Sequence, residues 1–111
     1  MEIELEGKKY RLVEINALDT RKIVRTYSAG VFFAEIESRN GKEAVLRNAR
    51  RLWYWGGAAS LSELAMRGVS KPLKCKFPIA VDRIEVTEVI EILDVTKVAA
   101  QSIDEVPIWN A

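Results

Sequence analysis

Two guanidinium groups and three aromatic rings fall within six consecutive positions, residues 50–55. In an extended strand the side chains alternate between faces, so Arg51, Trp53 and Trp55 share one face, and Arg50, Leu52 and Tyr54 lie on the other. Flat rings beside guanidinium forks suit stacking on a planar ligand and pairing with its phosphates. The same residue types also fill cores and subunit interfaces, where arginine covers rings through cation–π contact. The segment by itself leaves both interpretations open.

The chain lacks the side chains that most often do acid–base or metal chemistry. It has no histidine and a single cysteine, Cys75, so a structural zinc site of Cys and His ligands cannot form. No Walker loop and no G-x-G-x-x-G motif is present. We therefore expect a non-enzymatic protein with no cofactor and no metal. A metal site made only of carboxylates, or a lysine base, remains open.

Length and charge restrict the class of protein further. The 111 residues predict one domain, 1–111, and 49% hydrophobic with 30% charged residues predicts a folded globular chain. The net charge of +1 provides no long-range attraction for nucleic acid. No apolar run approaches the ~20 residues of a membrane helix, and no signal peptide opens the chain, so no membrane partner is expected. A single cysteine suits a reducing cytoplasm.

The first half of the chain has the pattern of β-structure. Asn40-Gly41 is a strong hairpin signal between two apolar runs, and Asn48 marks a bulge or break in the returning strand. The predicted elements are short apolar segments within 3–15 around Gly7, a loop at 16–20, and strands at 22–27, 31–37 and from 43 as far as 55.

The second half alternates helix and strand. Ser60 and Glu63 form a capping box and Gly68 suits a C-terminal cap, which predicts a helix over 61–67. Residues 70–78 are predicted as loop and residues 83–93 as one strand, with a helix as the competing interpretation of 83–93. Asp94 then suits the N-cap of a second helix over 95–102. The apolar tail 106–109 is expected to dock on this chain or on a neighbour.

These elements predict a mainly β (α+β) fold. The expected architecture is a small, strongly bent antiparallel sheet or an SH3-like or Sm-like barrel, with a short helical insertion and a C-terminal helix. Exposed tryptophans and unpaired sheet edges are costly on a monomer, so we also expect a symmetric homo-oligomer.

Four segments resemble a family of small tailed-phage and prophage proteins. They are VRTYSAGVF (24–32), RNGKE (39–43), NARRLW (48–53) and EVPIW (105–109), and the resemblance extends over about residues 22–109. It implies a phage accessory protein that acts in the host bacterial cytoplasm. By analogy with phage sponges, it suggests a protein that sequesters a nucleotide immune signal, either a cyclic oligonucleotide or an ADP-ribose derivative.

In that interpretation aromatic rings stack on bases, arginines pair with phosphates and hydroxyls add hydrogen bonds. The candidate ligand-binding residues are Arg25, Thr26, Tyr27, Ser28, Arg50, Arg51, Trp53 and Trp55. Two other classes stay open. One is a protein-binding inhibitor or minor structural phage protein, in which Trp and Arg are hot-spot residues. The other is a single-stranded nucleic-acid-binding module, against which the near-neutral charge counts.

Overall fold

The computed structural model describes residues 2–5, 8–11 and 17–111. At the N-terminus, strands β1 (Glu2–Leu5) and β2 (Lys8–Arg11) pair in antiparallel register, with Glu2 opposite Arg11. The expected turn around Gly7, and Asn16 of the expected loop, lie outside the described residues.

A five-stranded antiparallel sheet forms the rest of the β-structure, in the order β6-β5-β4-β3-β7. Its strands are β3 (Leu18–Thr26), β4 (Val31–Asn40), β5 (Glu43–Arg51), β6 (Val81–Val86) and β7 (Val89–Thr96). Helix α1 (Leu61–Arg67) is inserted between β5 and β6, a 3-10 turn (Pro72–Lys74) follows it, and helix α2 (Lys97–Asp104) comes after β7. The predicted mainly β fold, with a helical insertion and a C-terminal helix, is confirmed.

The sheet is strongly coiled but open. Strands β6 and β7 lie at opposite edges, yet only Thr87 and Glu88 separate them. Three Cα–Cα steps span at most ~11 Å, whereas four strand spacings of a flat sheet span ~19 Å. The two edges must therefore approach each other at this corner, where Val89 N–H donates to the Lys42 carbonyl (2.9 Å). The ladder does not close between β6 and β7, so the bent sheet forms and the barrel alternative does not.

A bulge and a tight turn shape the β4–β5 hairpin. Phe33 pairs with Arg50 and Glu35 with Arg47, which leaves two residues of β5 opposite one residue of β4. One of these two is Asn48, which adopts a positive φ of 49°. The predicted bulge is therefore confirmed. Gly41 (φ 61°) occupies the first position of the two-residue turn, where a positive φ suits the twist of a hairpin.

Helix α1 has the bounds that the capping box predicts. Ser60 Oγ accepts a hydrogen bond from Glu63 N–H (3.1 Å), while Glu63 Oε1 accepts from Ala59 N–H (3.1 Å). At the other end Gly68 (φ 77°) donates its N–H to the Leu64 carbonyl. The capping residues at its two ends therefore determine where the helix begins and ends.

Several predicted boundaries in the strands are wrong. Strand β3 begins at Leu18, inside the expected 16–20 loop, and β5 ends at Arg51 instead of reaching Trp55. The expected 83–93 strand is divided at Thr87 and Glu88 into β6 and β7. The division follows from pairing, because β6 adds to β5 at one edge of the sheet and β7 adds to β3 at the other.

The C-terminal helix starts two residues later than predicted. Strand β7 stays paired with β3 as far as Thr96, which lies opposite Leu18. Asp94 consequently remains in the strand and forms an ion pair with Lys22. Thr96 takes the N-cap role instead, with Oγ1 accepting from Ala99 N–H (3.0 Å).

Both faces of the sheet are buried. Adjacent strand residues Ile23 and Val24 are both fully buried, on opposite faces. Ile23 packs with Phe33 and with residues of the two helices, while Val24 packs with Phe32 and Leu46 in a second cluster. Helices cover one face and the coiled sheet encloses the other.

Candidate functional site

An open groove lies between the β3–β4 turn and the segment that follows β5. Its volume is about 510 Å³, and its lining consists of residues 28–31, Arg51, Leu52, Trp53 and Trp55. Arg51, Trp53 and Trp55, which were expected on one face of a strand, all line the groove, but so does Leu52, which was expected on the opposite face. Among the described residues, no aspartate or glutamate belongs to the lining. The groove thus combines one guanidinium, one hydroxyl and two indole rings.

The turn that forms one wall is built by Thr26. This residue is buried (5% exposed), and its Oγ1 donates to the Gly30 carbonyl (2.8 Å) and accepts from Ala29 N–H (3.0 Å). Gly30 has a φ of 99°, a conformation that glycine adopts without strain. Thr26 therefore fixes the conformation of the turn but does not line the groove.

Ser28 is the polar side chain of this wall. Its Oγ donates to Glu88 Oε1 at 2.6 Å, which ties the turn to the corner between β6 and β7. The neighbouring Tyr27 is 80% exposed and does not belong to the lining, although its backbone N–H donates to the Glu88 carbonyl (2.9 Å). The corner of the coiled sheet thus fixes the position of the turn.

Arg51 supplies the positive charge of the groove. Its Nε donates to the Ala29 carbonyl (3.2 Å), and its Cζ lies 4.7 Å from the centre of the Phe32 ring. These two contacts hold the guanidinium against the β3–β4 turn and the Phe32 ring. Within residues 17–111, Arg51 takes part in no ion pair, so its charge is available to an anionic ligand.

The chain leaves the sheet after Arg51 and pairs with another segment. Leu52 N–H still donates to the Val31 carbonyl of β4, whereas Trp53 N–H donates to Lys76 O and Lys76 N–H to Tyr54 O. This change of partner exposes Trp53 (61%) and leaves Trp55 half-buried against the helix-side core. The two indoles therefore present their rings at the groove.

Trp53 also stacks on the C-terminal tail. The rings of Trp53 and Trp109 lie 5.1 Å apart between centroids at an interplanar angle of 13°. Trp109 N–H donates to the Phe77 carbonyl (3.0 Å), and Ile108 forms a parallel bridge with Phe77. The expected docking of residues 106–109 therefore occurs on this chain.

Arg50 faces away from the groove and contacts the backbone. Its guanidinium donates to the carbonyls of Ile103 (2.9 Å), Val106 (2.8 Å), Phe77 (3.1 Å) and Pro78 (3.2 Å). Burial lowers the pKa of Arg50 below its ordinary value, and the charge of Asp104 opposes that shift. All three guanidinium nitrogens are engaged, so Arg50 joins the tail to the sheet.

The structure thus brings together four of the eight candidate residues. The four that line the groove are Ser28, Arg51, Trp53 and Trp55, and the four that do not are Arg25, Thr26, Tyr27 and Arg50. Arg25 is exposed and donates from Nε to Glu91 Oε1 (2.8 Å) on β7. Sequence reasoning did not connect Lys76 and Trp109 with Trp53, because only the chain path after Arg51 brings the three together.

Other kinds of site receive no support from the described residues. Among them no cluster of three or more His, Cys, Asp or Glu could hold a metal ion. Cys75 is buried, with Sγ 3.4 Å from the Lys71 carbonyl oxygen. No helix in that part of the chain has the length and apolar character needed to cross a bilayer.

Comparison with known proteins places the chain in a family. The model of a family described as a domain of unknown function (DUF6948) matches residues 19–103, the five-stranded sheet with nearly all of both helices. No curated protein and no solved structure matches the chain.

Proposed function

The chain belongs to the DUF6948 family, and from this premise we propose that it is a non-enzymatic binding protein whose groove holds a nucleotide-type ligand. One observation carries the proposal. Ser28 on one segment and Arg51, Trp53 and Trp55 on another line the same open groove. Small-molecule sites in proteins span about 300–1,000 Å³, and a groove of about 510 Å³ lies within that range.

The lining suits the two halves of a nucleotide. The indoles of Trp53 and Trp55 offer surfaces for a base, and stacking contributes roughly 1–3 kcal/mol per base. The Arg51 guanidinium pairs with a phosphate through its terminal nitrogens, because its Nε already donates to the Ala29 carbonyl. Ser28 Oγ donates its proton to Glu88 and offers its lone pairs to a ligand hydroxyl. Arg50 is not part of this assignment, because its donors are already bound to backbone carbonyls.

The proposed ligand is held intact. The Glu88 carboxylate accepts a hydrogen bond from Ser28 Oγ (2.6 Å) but does not belong to the lining. General acid–base catalysis requires a titratable side chain near the reacting bond, and among the described residues the lining includes neither carboxylate nor imidazole. This favours sequestration over turnover. We propose that the ligand is a cyclic oligonucleotide or an ADP-ribose derivative, and that the protein acts as a phage-encoded anti-defence sponge in the host bacterial cytoplasm. Only the resemblance to small phage proteins supports that biological setting.

The proposed sponge is a homo-oligomer. Strands β6 and β7 are both edge strands, and each exposes an apolar side chain, Val81 (40%) and Ile90 (49%). Open edges of this kind pair readily with a second chain. The molar mass in solution, measured by light scattering after size-exclusion chromatography, tests this part, and a monomer of 12.6 kDa contradicts it.

A thermal-shift panel of cyclic di- and trinucleotides and ADP-ribose derivatives tests the groove. A ligand at 100 times its dissociation constant stabilises the fold by ~2.7 kcal/mol, or about 10–20 °C for a domain of this size. We expect one ligand class to shift the melting temperature and to be recovered unchanged. Arg51→Gln should abolish the shift, whereas the matched control Arg25→Gln, outside the groove, should retain it. No shift with any nucleotide, or an equal shift in both variants, refutes the assignment.

A further inference from the structure

A second surface with binding chemistry adjoins the groove at Trp53. It consists of three exposed rings, Trp53 (61%), Tyr54 (55%) and Trp109 (43%), with the adjoining lysine loop 71–76. We call it the aromatic–lysine surface. Exposed rings of this size are uncommon on a surface without a partner, since each buries ~150–250 Å² when covered.

The loop that borders the rings carries a local excess of positive charge. Between Glu63 and Asp82 the sequence has four cations, Arg67 and three lysines, and no acidic residue. The lysines, Lys71, Lys74 and Lys76, are all exposed. None of them forms an ion pair with another described residue. On a chain whose net charge is only +1, this loop is a distinct cationic patch.

Lys76 joins the charge to the rings. Its Nζ lies 5.3 Å from the ring centre of Trp53, 5.6 Å from that of Trp109 and 5.8 Å from that of Tyr54. Distances below about 6 Å are those of cation–π contact. An ammonium group is thus held next to the surfaces on which a base would stack.

From this arrangement we propose that the aromatic–lysine surface binds single-stranded nucleic acid, with bases stacked on the outer ring faces and phosphates paired with the lysines. Sites that bind single strands without sequence preference combine stacking rings with a cationic border. The ring geometry disfavours a proline-rich peptide, because Trp53 and Trp109 lie face to face at 5.1 Å and leave no slot between them. The unneutralised lysines favour a polyanion.

This inference goes beyond the proposed nucleotide groove and does not depend on it. Trp53 lies at the boundary of both regions, but Arg51 and Ser28 belong only to the groove, and Lys76 and Trp109 only to the aromatic–lysine surface. Substitutions in the unshared residues therefore separate the two. Binding through three or four cations also predicts a salt dependence with a log–log slope of about −2 to −3, at roughly −0.7 per phosphate.

The experiment is fluorescence anisotropy of labelled oligo(dT) of 12 nucleotides, titrated with the full chain at several salt concentrations. We expect Lys76→Gln to reduce the magnitude of the salt slope by about 0.7. Removal of one stacking ring, in Trp109→Ala, should weaken binding about 5- to 150-fold. The matched control Lys42→Gln, an exposed lysine at the β4–β5 turn outside both surfaces, should bind as the unmodified chain does.

Circular dichroism establishes that each variant is folded, and Tyr54→Ala replaces Trp109→Ala if the latter is not. The proposal is overturned if oligo(dT) does not bind, or if the ring variants bind it with unchanged affinity. It is also overturned if heparin, a polyanion without bases, binds as tightly as oligo(dT), because charge alone would then explain the interaction.

Discussion

Replacing Arg50 should destabilise the fold far more than its position at a strand end suggests. The side chain is half-buried, and its guanidinium donates to four carbonyl oxygens in the C-terminal region and in the loop before β6. Two of these hydrogen bonds, to Ile103 O (2.9 Å) and Val106 O (2.8 Å), are short. The Ile103 carbonyl lies in the last turn of α2 and also accepts from Val106 N–H (3.1 Å).

The magnitude follows from those contacts. A hydrogen bond from a charged donor contributes about 1.5–3 kcal/mol, and we take the lower end because Arg50 is partly exposed. Counting the two short bonds, Arg50→Ala should cost about 3 kcal/mol. Arg50→Lys keeps the charge but loses the planar fork, and should cost about half as much. The corresponding decreases in melting temperature are about 12–24 °C and 6–12 °C.

The matched control is Arg47→Ala on the same strand. Arg47 is exposed and donates from Nε to Glu37 Oε1 (2.8 Å), a surface ion pair that contributes about 0.2–1 kcal/mol. Urea unfolding and thermal melts of the three variants compare these costs directly. If Arg50→Ala destabilises the protein no more than Arg47→Ala does, the four carbonyl contacts do not hold the tail and the reasoning is wrong.

Three further predictions follow from backbone geometry and charge. Gly68→Ala should lower the free energy of unfolding by about 2–5 kcal/mol, because Gly68 has a φ of +77° and an added Cβ would lie 2.4 Å from Ser102 Cβ on α2. Gly30→Ala should lower it by only about 1–2 kcal/mol, because Gly30 has a φ of +99° but open space around it. Denaturant unfolding of the two variants measures this difference. At the bulge, Asn48→Gly should change stability by less than about 0.5 kcal/mol. Asn48→Val should lower stability by about 1–2 kcal/mol, since a β-branched residue resists a φ of +49°. Equal melting temperatures of the two variants would contradict this prediction. Hydrogen bonds from Arg21 lower the pKa of Asp19 below its ordinary value. The ionised carboxylate therefore stabilises the fold at pH values above its unfolded-state pKa of about 3.9. This stabilisation is lost as the pH falls through the lowered pKa of the folded state. The stability difference between the unmodified chain and Asp19→Asn should therefore be full at pH 7 and shrink on acidification below pH ~4, and a difference that does not vary with pH would refute it.

Local signals in the sequence were sufficient for the elements that depend on neighbouring residues. The bounds of α1 follow from Ser60, Glu63 and Gly68, which cap the helix through hydrogen bonds within a few residues. The β4–β5 hairpin and its bulge follow from Gly41 and Asn48, since both adopt a positive φ. Four of the groove residues were also foreseeable, because strand alternation and residue chemistry are local properties.

Pairing between strands that are distant in sequence determined the bounds of the last strands and of the C-terminal helix. Residues 83–93 have a continuous strand pattern. The strand is divided at Thr87 and Glu88 because β6 pairs with β5 at one edge of the sheet and β7 pairs with β3 at the other. Asp94 is as good an N-cap residue as Thr96, and the pairing of Thr96 with Leu18 moves the helix start.

The residues 50–55 show the same division most clearly. The sequence alone determined their chemistry and the mainly β class of the chain. It did not determine that Arg50 would bind backbone carbonyls while Arg51 lines the groove, or that Trp53 would stack on Trp109. Those outcomes depend on where the loop 71–76 and the C-terminal tail pack. A side chain's residue type fixes which partners it can bind, but only the tertiary structure brings one of those partners within reach.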